Sequence, residues 1–219
     1  MNLIQIETNL QNSDFQYRLK AISALKDYSS DIAVPLLTRH IQDPEFLVRT
    51  FVAREFGRQQ TPESFASLLQ IIRFDNTPNV RAEAANSLSL FGKVSASHLV
   101  HTFVTDDHWL VRRSILAALT EMECHEEILE VCIVGIESDD AAVQEASIEG
   151  LGTLANSHLA EIALSQLLAL TNSRFDYVRT RVAHALKHFE APAAKEALAR
   201  LRQDSNHQVV GAAMEDLLP

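Results

Sequence analysis

Two pairs of histidines are the residues whose spacing could support metal chemistry. His184 and His188 lie four positions apart and His98 and His101 lie three apart, so the members of each pair would share one face of a helix. A bound metal ion would need a further ligand, and no acidic or sulfur ligand follows at a suitable spacing. We therefore predict no metal site. The pairs are interpreted as surface or seam residues whose ring nitrogens could hold a carboxylate.

Nucleophilic chemistry has little support in the sequence. Cys124 lies among four glutamates in EMECHEE, which disfavour the reactive thiolate form. Cys132 lies in the apolar stretch VCIVGI and is predicted to be a core residue. The chain has no G-x-S-x-G, no phosphate-binding G-x-x-x-x-G-K and no G-x-G-x-x-G. An ordinary enzyme is not predicted, and the two cysteines are expected to remain reduced thiols.

A pattern of one aspartate and one arginine recurs along the chain. It reads DPEFLVRTF from Asp43, DNTPNVRAE from Asp75 and DDHWLVRRS from Asp106, with an arginine six positions after each aspartate. An aspartate at this place can accept hydrogen bonds from the free N–H groups at the start of a helix. A planar guanidinium can bind two acceptors at once. We predict that each arginine bridges the aspartate of its own turn and that of a neighbouring unit.

The pattern belongs to an internal repeat that covers nearly the whole chain. Seven positions align at spacings of 31 to 35 residues, which is typical of a solenoid, and they are Tyr17, Val48, Val80, Val111, Val143, Val178 and Val209. Each unit carries two stretches of helical periodicity with a break between them. We predict an all-α protein, a right-handed α-solenoid of about six to seven helical hairpins. We expect a single domain over residues 1–219, with units starting near residues 12, 43, 75, 106, 138, 173 and 204.

Residues that favour helix ends separate these stretches. Pro44 is expected in a first helical turn, where its missing N–H costs little. Gly57 and Gly92 are predicted to end helices in the left-handed conformation. The second helices of the units, such as PESFASLLQIIRF and SHLAEIALSQLLAL, are predicted to line a concave groove.

Composition and charge exclude several classes of partner. The formal net charge is −10 and no run of basic residues occurs, so we expect no nucleic-acid partner. No stretch of about 18 apolar residues is present, so we expect no membrane insertion. The amino-terminal residues lack the continuous apolar segment of a signal peptide. A cytoplasmic location is predicted.

The repeat pattern D-x-x-x-x-V-R-x-x-A-x-x-A-L resembles the HEAT-like repeats of phycobilisome lyases, and the resemblance spans almost the whole chain. Within that group the chain is similar to E/F-type bilin lyases and to their relatives in phycobilisome degradation. The resemblance implies a bilin-handling factor at the phycobilisome on the thylakoid surface. Its partners would be phycobiliprotein α and β chains, and its ligand phycocyanobilin. The implied role is degradation by chromophore detachment or binding. A lyase subunit working with a second subunit, and a scaffold without chemistry, remain alternatives.

The implied ligand directs attention to Asp107, His108, Trp109 and Arg113. A bilin has a flat apolar body, two propionates and pyrrole N–H groups, so its site needs an apolar wall, cations and an acceptor for the nitrogens. These four residues supply all three and include the only tryptophan. We predict that they bind the chromophore. In the alternative interpretation, Trp109 seals a seam between repeats and Asp107 caps a helix.

One interval between repeats is longer than the others. Val143 and Val178 are 35 residues apart, and the extra residues are predicted to lie in or just after HLAEIALSQLLALT. The resulting protrusion would carry Arg174, Phe175 and Tyr177, a cationic and aromatic cluster at the edge of the solenoid. We predict that this cluster contacts the phycobiliprotein partner. Alternatively, the two rings seal an irregular seam.

Overall fold

The computed structural model describes residues 1–215, and every regular element in that range is a helix. The predicted all-α class is therefore confirmed. The helices are α1 (Leu3–Leu10), α2 (Phe15–Ala24), α3 (Ser30–Thr38), α4 (Phe46–Gln59), α5 (Pro62–Phe74), α6 (Pro78–Ser89), α7 (Ala96–Thr105), α8 (Trp109–Glu121), α9 (His125–Gly135), α10 (Ala141–Thr153), α11 (Ala160–Leu170), α12 (Asp176–Leu186), α13 (Pro192–Leu201) and α14 (His207–Met214). None of these helices within residues 1–215 is long and apolar enough to cross a bilayer.

The chain divides into two compact units. The first spans Met1–Ala118, and the second begins at Leu119. In the first unit α4 packs against both α2 and α6, while α3 and α5 cover one side of this row. In the second unit α12 packs against α10 and α14, and α11 and α13 pack against that row. Each unit is therefore a stack of helical hairpins, as the repeat predicts. Assignment of residues 1–219 to one domain stays a prediction.

The first helix of each repeat starts at the same distance from the predicted start of the unit. Helices α2, α4, α6, α8, α10, α12 and α14 all begin three residues after it. Six of the seven aligned positions are valines that are at most 1% exposed, namely Val48, Val80, Val111, Val143, Val178 and Val209. Burial of such a side chain contributes about 1.5 to 3 kcal/mol. Tyr17 is the exception and is 45% exposed.

The two glycines predicted to end helices have different roles. Gly92 has φ of +73° and lies in the left-handed region, as predicted. Gly57 lies inside α4, and the left-handed residue that ends this helix is Gln60. A Cβ at Gly57 would lie 2.8 Å from Cβ of Ser87 on α6, so glycine is needed there for close helix packing. Pro44 lies two residues before the first residue of α4, outside the predicted first turn.

The extra residues of the long interval lie before α11 rather than in or after it, so that prediction is wrong. A one-turn 3-10 helix, Leu154–Asn156, and the turn that follows it separate α10 from α11. Helix α11 has 11 residues, the same as α9. Because a short connection can absorb extra residues without disturbing side-chain packing, the insertion lies in the hairpin turn and not in a packed helix.

Candidate functional site

A row of arginine–aspartate pairs, here called the ladder, joins consecutive repeats within each unit. The arginine on one first helix binds the carboxylate that precedes the next first helix, with Nε–Oδ2 distances of 2.6 to 2.8 Å for Arg18–Asp43, Arg49–Asp75, Arg81–Asp106 and Arg179–Asp204. In each pair Nη2 donates to the second carboxylate oxygen. Such a two-point contact fixes the orientation of both groups.

The aspartate of the arginine's own turn contributes its backbone rather than its carboxylate. Nη1 of Arg49 donates to the carbonyl oxygen of Asp43, and Nη1 of Arg81 donates to that of Asp75. The aspartate carboxylates also cap their own turns, since Oδ1 of Asp75 accepts from N–H of Thr77 at 2.8 Å. The predicted bridge between neighbouring repeats is present, and the spacing of six residues between aspartate and arginine reflects this backbone contact.

The ladder changes in the fifth repeat, where Gln144 occupies the arginine position. Its Nε2 donates to the carbonyl oxygen of Ile136, which keeps the contact within its own turn. Its Oε1 accepts from the hydroxyl of Tyr177 at 2.8 Å, so an uncharged hydrogen bond links this repeat to the next.

An open groove lies between α5 and α7 in the first unit, and we call it the α5–α7 groove. Its volume is about 580 Å³. Its lining combines apolar, cationic and acidic side chains, and includes Leu69, Ile72, Arg73, Phe74, Asp75, Arg81, His98, His101, Asp106 and Asp107. This volume lies within the range of about 300 to 1,000 Å³ that is typical of small-molecule sites.

The cations of the groove differ in their availability. Arg81 is held by Asp106 in the ladder, and this hydrogen bond raises the pKa of the arginine. Arg73 is exposed and places its guanidinium 5.3 Å from the centre of the Phe74 ring. A guanidinium stacked in this way keeps its N–H groups at the edge of the contact, where they can bind an anion. His98 and His101 lie one turn apart on α7 and are both exposed.

The groove contains one of the four residues predicted to bind a chromophore. Asp107 lines it. The ring of His108 stacks against Trp109 with centroids 6.0 Å apart, and its Nδ1 accepts from N–H of Leu110. Trp109 is 40% exposed at the start of α8, and Arg113 is exposed one turn further along. The role of these residues as a chromophore site stays a prediction.

Sequence reasoning did not single out Arg73 and Phe74 as site residues. Phe74 is 72% exposed, although it ends a helix whose other apolar side chains are largely buried. The available signal was an arginine and an aromatic residue beyond the apolar stripe of PESFASLLQIIRF, in one of the helices predicted to line a groove.

The predicted partner cluster is a continuous stack at the start of α12. The guanidinium of Arg174 lies 4.5 Å from the centre of the Phe175 ring, and the rings of Phe175 and Tyr177 are 5.4 Å apart. Phe175 is 41% exposed, whereas the Tyr177 hydroxyl is engaged by Gln144. Partner binding by this cluster stays a prediction, and the protrusion expected to carry it is absent from the described turn because the extra residues precede α11.

His184 and the two cysteines have structural roles. His184 Nδ1 lies 3.3 Å from a carboxylate oxygen of Glu215. Cys124 and Cys132 are both buried, and burial raises the pKa of the Cys132 thiol. Within residues 1–215, no group of three or more His, Cys, Asp or Glu side chains is arranged to hold a metal ion.

The fold and the repeat define the class of protein. The family model for HEAT repeats matches the sequence over residues 5–89, 42–120, 96–187 and 129–218. The chain therefore belongs to the HEAT-repeat family.

About half of the chain is similar to proteins that share one name. Deoxyhypusine hydroxylase of Schizosaccharomyces pombe is 30% identical over 114 residues, which cover 52% of this chain and 36% of that protein. The Aspergillus niger protein of the same name is 34% identical over 115 residues, 48% of this chain and 34% of its own length. The chain thus spans about a third of the curated relatives it matches.

Solved structures show the same fold. The complex of CpcE and CpcF of phycocyanin lyase from Nostoc is similar over 100% of this chain and 95% of its own, with a TM-score of 0.54 and 18% identity. The Escherichia coli protein YibA is similar over 93% of this chain and 74% of its own, with a TM-score of 0.60 and 17% identity.

Hydroxylation with molecular oxygen requires a cofactor such as non-haem iron, and the described residues do not fit that group. Non-haem iron that activates oxygen is held by histidine and carboxylate side chains that converge on one point. Such a group is absent from the part of the chain that the structure describes.

Proposed function

We propose that the protein is a bilin-handling factor that acts on phycobiliproteins, and that the α5–α7 groove holds the open-chain tetrapyrrole. The observation that carries the proposal is the combination of an apolar wall with Arg73, His98 and His101 in one groove of about 580 Å³. The fold shared with the Nostoc phycocyanin lyase complex supports it. In this proposal the chain binds or detaches the chromophore during phycobilisome degradation.

Each part of a bilin has a counterpart in the groove. The flat conjugated body would lie on Phe74 and Leu69, where aromatic and aliphatic surface is exposed to the groove. The two propionates would pair with the arginine and the histidine pair through charge-assisted hydrogen bonds. Asp107 at the rim would accept from the pyrrole N–H groups. The site proposed here is therefore the α5–α7 groove, which shares Asp107 with the four residues first predicted to bind the chromophore.

The experiment is a titration of the purified chain with phycocyanobilin, followed by absorption and circular dichroism. Binding in a fixed conformation is expected to shift the long-wavelength absorption band to the red and to induce a dichroic signal. Arg73→Ala combined with His101→Ala should weaken binding at least about tenfold, since the loss of even one charged hydrogen bond costs about 1.5 to 3 kcal/mol. The matched control is Arg200→Ala combined with His207→Ala on α13 and α14.

The competing function is a protein-binding scaffold without chromophore chemistry. The openness of the groove and the repeated ladder favour it, because stacked repeats present extended surfaces to proteins. No spectral change with phycocyanobilin, together with capture of purified phycobiliprotein α or β chains, would select this alternative. A spectral change that is identical in the groove variant and the control would place the chromophore elsewhere on the chain.

A further inference from the structure

The negative charge of the chain is concentrated in one segment. Residues 114–173 contain 11 aspartates and glutamates and no lysine or arginine, whereas residues 1–113 contain 12 acidic and 12 basic residues. The segment covers the end of α8 and all of α9, α10 and α11. The net charge of −10 therefore comes from about a quarter of the molecule rather than from the whole surface.

Part of this charge lines one face of α9. Glu126, Glu130, Ile133 and Glu137 follow one another at spacings of four, three and four residues, which places them along one helical stripe. All four are exposed, and Ile133 is 39% exposed beside Val134 at the same value. The stripe combines carboxylates with an apolar centre.

Helix stability does not explain these positions. Glutamates in the first turn of α9 are favourable because the helix dipole is positive there. Glu137, however, follows the carboxyl end of the helix, where negative charge is unfavourable. Glu126 and Glu130 lie four residues apart and repel each other. The charges of Glu130 and Glu137 are therefore not explained by helix stability.

Two adjacent residues at the start of α11 add to the exposed acidic and apolar surface of this segment. Ile162 is 48% exposed, and Glu161 next to it is exposed as well. His158, just before α11, places Nε2 3.2 Å from a carboxylate oxygen of Glu126 at the start of α9. This contact shows that the turn before α11 lies beside the start of α9. We call the exposed carboxylates and isoleucines of these two helices together the acidic face, formed by Glu126, Glu130, Ile133, Glu137, Glu161 and Ile162.

We infer that the acidic face is the docking surface for a basic amphipathic segment of a partner protein. Its exposed isoleucines offer the apolar centre of an interface, and its carboxylates form a rim that attracts lysine and arginine. Self-association through this face would bring like charges together and is disfavoured. The inference does not depend on bilin handling, since the acidic face and the α5–α7 groove belong to different units.

The test measures binding of a defined probe to the full chain. The probe is a fluorescein-labelled, 18-residue amphipathic peptide of leucine and lysine, and fluorescence anisotropy is recorded at low and at physiological salt. The reference probes are the glutamate counterpart and a scrambled leucine–lysine peptide of the same composition. We expect binding of the lysine peptide alone, weakening with salt because the attraction is between exposed charges. No binding of this peptide, or equal binding of the scrambled one, would overturn the inference.

Charge-reversed variants locate the surface. Glu130→Lys with Glu137→Lys is expected to weaken binding at least about tenfold, through loss of the charged rim. The matched control, Glu7→Lys with Glu196→Lys, changes the net charge equally at exposed positions elsewhere. Equal weakening by the control would show that net charge alone attracts the peptide and would refute the docking surface. If a thermal melt shows that the first variant is unfolded, Glu130→Gln with Glu137→Gln is tested instead. Its expected loss of peptide affinity is smaller, because the charge is removed and not reversed.

The apolar centre is tested separately. Ile133→Ser with Ile162→Ser should weaken binding at both salt concentrations, whereas Ile4→Ser, at a position 76% exposed in the first unit, should not. Sedimentation velocity of the free protein completes the test. A dimer that the Ile133→Ser and Ile162→Ser changes dissociate would identify a second copy of the chain as the occupant and reject the basic partner.

Discussion

Replacement of Arg81 by alanine is the most direct perturbation of the ladder. The side chain lies at the middle of the first unit, joins α6 to the turn before α8, and forms one wall of the α5–α7 groove. It makes two hydrogen bonds to the Asp106 carboxylate, at 2.6 and 3.1 Å, and one to the carbonyl oxygen of Asp75 at 2.9 Å. Alanine removes all three bonds and leaves both acceptors in place.

The expected loss of stability follows from the burial of Arg81 and Asp106. The side chains of Arg81 and Asp106 are 14% and 7% exposed, so the carboxylate left behind is largely shielded from water. Loss of one partner of a fully buried pair costs about 3 to 5 kcal/mol. Asp106 keeps a hydrogen bond from N–H of His108 at 2.9 Å, and residual water access lowers the cost further. We expect the free energy of unfolding to fall by about 1 to 3 kcal/mol.

Urea unfolding monitored by fluorescence of Trp109, the only tryptophan, reports on the helix that follows Asp106. With an m-value of about 2 kcal/mol/M, a loss of 2 kcal/mol lowers the midpoint by about 1 M. Arg81→Lys should recover little of this loss because lysine cannot make the two-point contact. Arg200→Ala, at an exposed position, should leave the midpoint unchanged. An unchanged midpoint for Arg81→Ala would refute the stabilising role of the ladder.

Four further variants test other parts of the structure. The hydrogen bond from Arg179 lowers the pKa of Asp204. The stability that this ion pair contributes is therefore present above the unfolded-state pKa and is lost as the pH falls through the lower folded-state pKa. Asp204→Asn should flatten the acid limb of a curve of unfolding free energy against pH, below about pH 5. Gly57→Ala should destabilise by about 1 to 3 kcal/mol through the clash with α6, whereas Gly211→Ala, with open space around its Cβ, should stabilise by about 0.4 to 1 kcal/mol in thermal melts. Arg174→Ala with Phe175→Ala should abolish capture of phycobiliprotein chains while the melting temperature stays unchanged, and retained capture by the folded variant would exclude this cluster as the contact.

The candidate site could be predicted from the sequence only in part. The sequence allowed recognition of the chemical requirements of a bilin site, and of His98 and His101 as residues whose ring nitrogens could hold a carboxylate. Asp107 was assigned to the site with its sequence neighbours Trp109 and Arg113. In the structure its neighbours across the groove are Arg73 and Phe74, which lie more than thirty residues earlier. Sequence proximity failed here because adjacent residues at a helix start point in different directions.

The sequence by itself determined the helical class, the seven first helices and the existence of an arginine–aspartate bridge. These features follow from helical periodicity, capping and a repeat of constant length, which are local properties of the chain. Only the tertiary structure decided which carboxylate each arginine meets, why Gly57 is a glycine, and which side chains share the α5–α7 groove. Those depend on side chains from successive repeats, brought together when hairpins stack through their buried valines.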